Sequence, residues 1–177
     1  GVYRSLNSGA SWVARNTGML GIAARVIRRN GNGEIILGAD FGDGIWISSD
    51  QGTNWTKSTA LPTSNAITSI AITNTPAVVY AGAYGTGVFK STDAGITWFV
   101  TDSTVLNHFV RTLSVHPSNP SRLYAGTGNG VYKTTDGGAT WFTVNTGIPA
   151  STSIRSMAVD PLSPNTVYAG TDSLFLY

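Results

Sequence analysis

The sequence predicts an all-β protein, and three observations carry this prediction. Short segments rich in β-branched and aromatic residues recur along the 177 residues, each bounded by Gly, Pro, Asn or Asp, which is the pattern of strands and turns. No segment of helical length shows an apolar period of 3.6 residues. Tryptophan recurs at a constant step of 43 residues, at Trp12, Trp55, Trp98 and Trp141. A fixed period of this length is typical of a repeat protein.

Each repeat contains four strand-like segments. The period that starts at position 66 reads AITSIAIT, AVVYAGAY, GVFKSTD and ITWFVTD, and the next reads FVRTLSVH, SRLYAGT, GVYKTTD and ATWFTVN. Four strands in about 43 residues form one blade of a β-propeller. The sequence therefore predicts a β-propeller of four-stranded antiparallel blades, with about four 43-residue repeats.

The first and last repeats are incomplete. Residues 1–20 supply two outer strands, 21–64, 65–107 and 108–150 supply full blades, and 151–177 supply a partial blade that ends near its third strand. Open blade edges expose unpaired strand groups, which natural proteins avoid. We expect an incomplete ring or part of a larger propeller, completed by a missing segment or a second chain. A closed four-bladed ring is the alternative.

Composition restricts the function. Charged residues make up 11% of the chain, the net charge is +2, and no run of Lys and Arg exceeds two residues, so no nucleic-acid partner is expected. No stretch approaches the roughly 20 apolar residues that span a membrane. Cysteine is absent and the two His lie far apart without acids at ligand spacing, so neither a cofactor nor a metal is predicted. A Thr-rich, Cys-free, β-rich chain favours an extracellular or periplasmic location.

Each repeated Trp ends an eight-residue string, which we call the box. The boxes are SLNSGASW, SSDQGTNW, STDAGITW and TTDGGATW, at 5–12, 48–55, 91–98 and 134–141. Their pattern, Ser/Thr-x-Asp-x-Gly-x-x-Trp, resembles the Asp-box (BNR) repeat of propellers such as sialidases, xyloglucanases, sortilin and photosystem II assembly factors. The resemblance implies that each box forms the hairpin between the third and fourth strands of a blade.

We expect the boxes to be scaffold rather than sites of chemistry. A carboxylate can accept the N–H groups that a turn leaves unpaired, Gly supplies a positive φ, and Trp fills the space between sheets. Asn7 replaces the Asp of the first box, whose turn should be weaker because an amide forms no charge-assisted hydrogen bonds. The structural residues are Asn7, Gly9, Trp12, Asp50, Gly52, Trp55, Asp93, Gly95, Trp98, Asp136, Gly138 and Trp141.

The face opposite the boxes, which we call the ligand face, is where the resemblance places ligands. Arg25, Arg111 and Arg155 open innermost strands thirteen or fourteen residues after a box Trp, and Thr68 stands at this position in the remaining blade. An arc of guanidinium groups can bind a carboxylate or another anion. The alternative is that backbone carbonyls or loop acids engage each Arg.

Aromatic and acidic residues in the predicted loops of this face are further candidates. Phe41, Tyr84 and His108 can offer a stacking surface to a sugar or a peptide. Glycoside hydrolysis needs paired carboxylates, and the resemblance implies that xyloglucan-degrading members use Asp. Nothing in the sequence separates these acids from solvated loop acids. The catalytic candidates are Asp40, Asp43, Asp102 and Asp172.

These observations favour a non-catalytic recognition or assembly module that binds a protein or a glycan on the ligand face. A segment of a glycoside hydrolase with its cleft on the same face is the first alternative. A repeating structural subunit of an extracellular assembly is the second. Whether the chain belongs to an enzyme stays open, with the balance against catalysis.

Overall fold

A computed structural model describes residues 1–59, 61, 65–75, 77–102 and 109–172. These residues form sixteen strands and contain no helix. None of them therefore belongs to a helix long and apolar enough to cross a membrane.

The strands pair antiparallel in five sheets, and within every sheet their order follows the chain. We call β3–β6, β7–β10 and β11–β14 the complete blades, and β1–β2 and β15–β16 the end sheets. The strands are β1 (Tyr3–Arg4), β2 (Val13–Ala14), β3 (Ala24–Arg29), β4 (Ile35–Ala39), β5 (Ile45–Ser48), β6 (Thr56–Lys57), β7 (Ile67–Ile72), β8 (Val79–Ala83), β9 (Gly87–Ser91), β10 (Phe99–Val100), β11 (Val110–His116), β12 (Asn119–Thr127), β13 (Gly130–Thr134), β14 (Phe142–Thr143), β15 (Ile154–Val159) and β16 (Val167–Thr171).

The prediction of an all-β propeller that does not close is confirmed. The innermost strands β3, β7, β11 and β15 contact one another in that order. Within the described residues, no strand of the first end sheet pairs with a strand of the last. The third strand expected for the last repeat, at 173–177, lies outside the described residues.

The core lies between neighbouring sheets, which approach one another closely. The second strand of each complete blade carries a glycine, at Gly38, Gly82 and Gly126. A Cβ added to Gly82 would lie 2.5 Å from Cγ1 of Val110, which opens the innermost strand of the next blade. The absence of a side chain at this position therefore lets one sheet pack directly on the next.

Each innermost strand has a β-bulge at the same point. The pairing with the second strand slips by one residue at Arg25 in β3, Thr68 in β7, Arg111 in β11 and Arg155 in β15. A bulge bends its strand and redirects a side chain. These four residues, the residues two positions before them and the turns that directly follow β4, β8, β12 and β16 form the part of the ligand face that we call the rim.

Candidate functional site

The box residues hold one another in a hairpin turn on the side away from the rim. In the third sheet, Oδ1 of Asp93 accepts the N–H of Thr97 at 2.9 Å and the hydroxyl of Ser91 at 2.8 Å, while Oγ of Ser91 accepts the N–H of Gly95 at 2.8 Å. The boxes of Asp50 and Asp136 repeat these bonds.

Hydrogen bonds keep the box carboxylates ionised. Those from the backbone and side chain of Asn54 lower the pKa of Asp50 to about 2. Those from the side chain and backbone of Thr140 lower the pKa of Asp136 to about 2. A general acid near neutral pH needs a raised pKa. These carboxylates have lowered pKa values, and their hydrogen bonds stabilise the turn instead.

Two of the three rim arginines are paired with acids that the sequence offers as catalytic candidates. Nη1 of Arg25 donates to Oδ2 of Asp40 at 3.0 Å, and Nε of Arg155 donates to Oδ1 of Asp172. The bond from Arg155 lowers the pKa of Asp172 and raises that of Arg155. The structure thus joins candidates for anion binding and candidates for catalysis into ion pairs.

A feature of the repeat explains these pairs. Directly before each innermost strand, the carbonyl two residues before the bulge accepts the N–H of the residue that directly follows the second strand, over 2.9–3.3 Å. This hydrogen bond brings that residue beside the bulge in each of the four sheets that contain an innermost strand. The residue is Asp40, Tyr84, Gly128 or Asp172 in chain order.

Arg111 is the rim arginine without an acidic partner. The position of the acid is occupied by Gly128, and the guanidinium of Arg111 forms no hydrogen bond or ion pair with any residue that the structure describes. Its Cζ instead lies 5.9 Å from the ring centroid of Tyr84, a cation–π distance. The positive charge of Arg111 is therefore not balanced by its own sheet.

Tyr84 belongs to an exposed aromatic pair. Its ring centroid is 4.5 Å from that of Phe109, with the planes inclined by 32°. Tyr84 is 41% exposed and Phe109 is 45% exposed. The sequence prediction included Tyr84 but missed Phe109, although a signal exists: the equivalent residues of the other sheets are small. They are Ala23, Ala66 and Ser153.

The remaining candidates do not join this group. Phe41 is highly exposed and follows Asp40 in the turn after β4. The carbonyl of Asp43, in the same turn, accepts the indole N–H of Trp46 at 3.1 Å. His108 lies outside the described residues. Within the described ranges, no three His, Asp or Glu are grouped so that they could hold a metal ion.

Asp102 is placed differently from the ligand-face loop that the sequence predicted for it. Its Oδ2 accepts the backbone N–H of Trp141 at 2.9 Å, and its own N–H donates to the carbonyl of Gly138 at 3.2 Å. These contacts correct its assignment to the ligand face. The fourth strand of the blade, β10, has only two residues, and Asp102, two residues after it, lies beside the box of the next blade.

Comparisons with known proteins support the fold. No family model matches the chain, and no curated protein matches it. Among solved structures, an ancestral GH74 enzyme is 26% identical with a TM-score of 0.77, covering 97% of this chain and 24% of that chain. YCF48 bound to D1 peptide is 19% identical with a TM-score of 0.71, covering 96% and 54%.

A third similar structure is the extracellular domain of a one-component system from B. thetaiotaomicron. It is 16% identical, has a TM-score of 0.68, and the match covers 89% of this chain and 20% of that chain. The chain thus spans about a quarter of the GH74 enzyme and about half of YCF48. The three proteins share a β-propeller fold with this chain.

Proposed function

We propose that this chain is a non-catalytic recognition segment of an extracytoplasmic Asp-box propeller, and that it binds a glycan at the rim. The observation that carries the proposal is the exposed pair of Tyr84 and Phe109 beside the unpaired Arg111. Aromatic rings combine a large apolar face with little conformational freedom, which suits them to stack on the apolar face of a sugar ring.

The aromatic pair is held in place before any ligand arrives. A Cβ added to Gly85 would lie 3.4 Å from Cε1 of Phe109, and one added to Gly128 would lie 3.5 Å from Cδ2 of the same ring. Phe109 therefore sits in a notch between the turns that follow β8 and β12. A surface that is already ordered loses little entropy on binding, which favours affinity.

The rim acids give little support to catalysis. Asp40 and Asp172 are each paired with an arginine, and the pairing lowers the pKa of Asp172. A glycosidase needs one carboxyl group with a raised pKa and a second carboxylate across the scissile bond. Asp43 stands in the same turn as Asp40 and is the remaining rim candidate.

A segment of a glycoside hydrolase is the second candidate function. It is favoured by the likeness to the ancestral GH74 enzyme, which extends over 97% of this chain at 26% identity. Because the match covers only 24% of that enzyme, a longer protein would have to supply further parts of the cleft. Under this alternative, Asp43 would be one of the two carboxylates.

The test is binding of an oligosaccharide panel, both neutral and acidic, measured by calorimetry on the purified chain. We expect Tyr84→Ala and Phe109→Ala each to weaken binding about three- to tenfold, as the loss of an aromatic contact does. Phe142→Ala is the matched control, because Phe142 is also 45% exposed but lies on the outer strand β14.

Three results would overturn the proposal. The first is no binding to any glycan, including the case in which the chain binds only peptides. The second is equal loss of affinity in Phe142→Ala and in the two rim variants. The third is hydrolysis of a bound glycan that disappears in Asp43→Asn, which would establish the enzyme alternative.

A further inference from the structure

The repeat builds the same arginine–carboxylate pair at two of the four rim positions. Arg25 and Arg155 stand on the bulges of β3 and β15, and Asp40 and Asp172 follow the second strands of the same sheets. The hydrogen bond common to all four sheets brings these positions together. The backbone therefore forms an arginine–carboxylate pair wherever the bulge residue is Arg and the residue that directly follows the second strand is Asp.

The sheet of β11 keeps the arginine but lacks the acid. Gly128 donates its N–H to the carbonyl of Phe109 at 3.0 Å, as the equivalent residues do in the other sheets, so the backbone geometry is unchanged. What differs is the side chain. The charge of Arg111 also lowers the pKa of Asp172, but that carboxylate is already engaged by Arg155.

The glycine at position 128 is not required by the backbone. Gly128 does not have a positive φ. The three atoms nearest to a Cβ at this position would all belong to Phe109, at 3.5–4.0 Å, which is ordinary van der Waals contact. The rim therefore has room for an acidic group next to Arg111, and no acidic side chain among the described residues occupies it.

We infer that Arg111 binds the carboxylate of a uronic acid residue in a glycan, in the position that Asp40 takes beside Arg25. The sugar ring stacks on Tyr84 and Phe109, and the planar guanidinium, packed against Tyr84, donates two hydrogen bonds to the carboxylate. This inference rests on the proposed glycan-binding function and specifies the ligand class.

The experiment compares two acidic oligosaccharides with their methyl esters, which keep the sugar rings and remove the charge. The probes are tetragalacturonate and xylotriose carrying one glucuronate. We expect the wild-type chain to bind at least one acid about ten- to a hundredfold more tightly than its ester, because a hydrogen-bonded charge pair contributes that much. Added salt should weaken this preference.

Gly128→Asp is the decisive variant, because it supplies the repeat's own carboxylate to Arg111. It should fold with an unchanged melting temperature and should lose the preference for the acid while still binding the ester. Arg111→Gln should behave in the same way. Arg25→Gln is the matched control and should keep the preference, since Arg25 is already paired with Asp40.

The possible failures are distinguishable. Equal affinity for acid and ester, or an undiminished preference in Gly128→Asp, would overturn the carboxylate site and leave the glycan-binding proposal standing. Absence of binding to both forms of both probes and to neutral glycans would overturn both proposals. If the preference for the acid were lost in Arg25→Gln but kept in Arg111→Gln, Arg25 and not Arg111 would bind the carboxylate, and the inference would be wrong.

Discussion

The same box occurs in the first end sheet and in the complete blades, but its tryptophan has two different surroundings. Trp55, Trp98 and Trp141 are only 3–4% exposed, whereas Trp12 is 61% exposed. Each buried ring is covered by the preceding sheet; the indole N–H of Trp98, for example, donates to Oγ of Ser58 at 3.0 Å. Trp12 has no described sheet before it. Burial of the ring is thus a property of neighbouring blades.

The turn of the box, in contrast, forms without a neighbouring blade. In the first end sheet, Oδ1 of Asn7 accepts the N–H of Ser11 at 2.9 Å, and Oγ of Ser5 accepts the N–H of Gly9 at 2.8 Å. These bonds join residues four positions apart, so the local sequence is sufficient for them. The box therefore combines a local turn with a tryptophan that depends on tertiary packing.

The end sheets expose surfaces that the complete blades bury. Tyr168 in β16 is exposed, whereas its equivalents Tyr80 and Tyr124 are buried; Tyr3 in β1 is exposed, whereas its equivalent Phe89 is buried. Both rings lie in sheets that lack a neighbouring sheet on one side among the described residues.

The largest expected effect tests the two surroundings of the box tryptophan. Trp98→Ala should lower the free energy of unfolding by about 3–5 kcal/mol, because it leaves a cavity between two sheets. Trp12→Ala should cost less than about 1 kcal/mol, since its ring is already exposed and most surface substitutions are small. Urea unfolding of the purified chain measures both. Equal losses would show that the ring acts through its own turn.

The next effect tests the close approach of neighbouring sheets. Gly82→Ala should destabilise the fold by about 1–3 kcal/mol, because the new methyl group would lie 2.5 Å from Cγ1 of Val110. Gly170→Ala, in an end sheet, is the control. The methyl group there would meet at 2.5 Å only the Oγ of Ser156, which can rotate away. If the two variants unfold at the same urea concentration, the glycines do not act through the neighbouring blade.

A smaller effect appears in acid. The folded pKa of about 2 for Asp50 and for Asp136 lies below the usual value of about 3.9. Their contribution to stability is therefore complete above about pH 4 and is lost as the pH falls through about 2. Asp136→Asn should flatten the decline in stability between these values, measured by urea unfolding at each pH.

The first box provides the reciprocal variant, because Asn7 does not titrate. Asn7→Asp should add stability at neutral pH, through charge-assisted bonds to the turn, and should steepen the decline in acid. A pH profile identical to that of the wild type in both variants would contradict the assigned role of the carboxylates.

The sequence was sufficient to predict features that depend on a regular repeat or on residues close together in the sequence. The 43-residue step of tryptophan predicts four-stranded blades, and each box predicts its hairpin. The sequence offered loop acids as possible partners of the arginines, but it did not identify Asp40 as the partner of Arg25. That pairing depends on a register slip in β3 that the alternation of side chains does not reveal. Alignment of the repeats on their second strands would have shown the position, since its residues recur every 44 residues.

Asp102 was misplaced for a different reason. Sequence spacing indicates which loop carries a residue but not where a two-residue outer strand directs the chain. The contact with Trp141 joins residues 39 positions apart in two blades, and no periodic pattern specifies it. The rim pair of Tyr84 and Phe109 is likewise formed across two blades, so its geometry required the structure.

The smallest expected effect concerns the ion pair at the end of the arc. The side chains of Arg25 and Asp40 are 45% and 27% exposed, and exposed pairs contribute about 0–1 kcal/mol. Asp40→Asn should therefore change the free energy of unfolding by less than about 1 kcal/mol, far less than Trp98→Ala. It would also leave Arg25 without its acid, but no second site for uronate should result, because Ala23 stands beside Arg25 where Phe109 stands beside Arg111. A loss above about 2 kcal/mol would instead make the pair part of the scaffold.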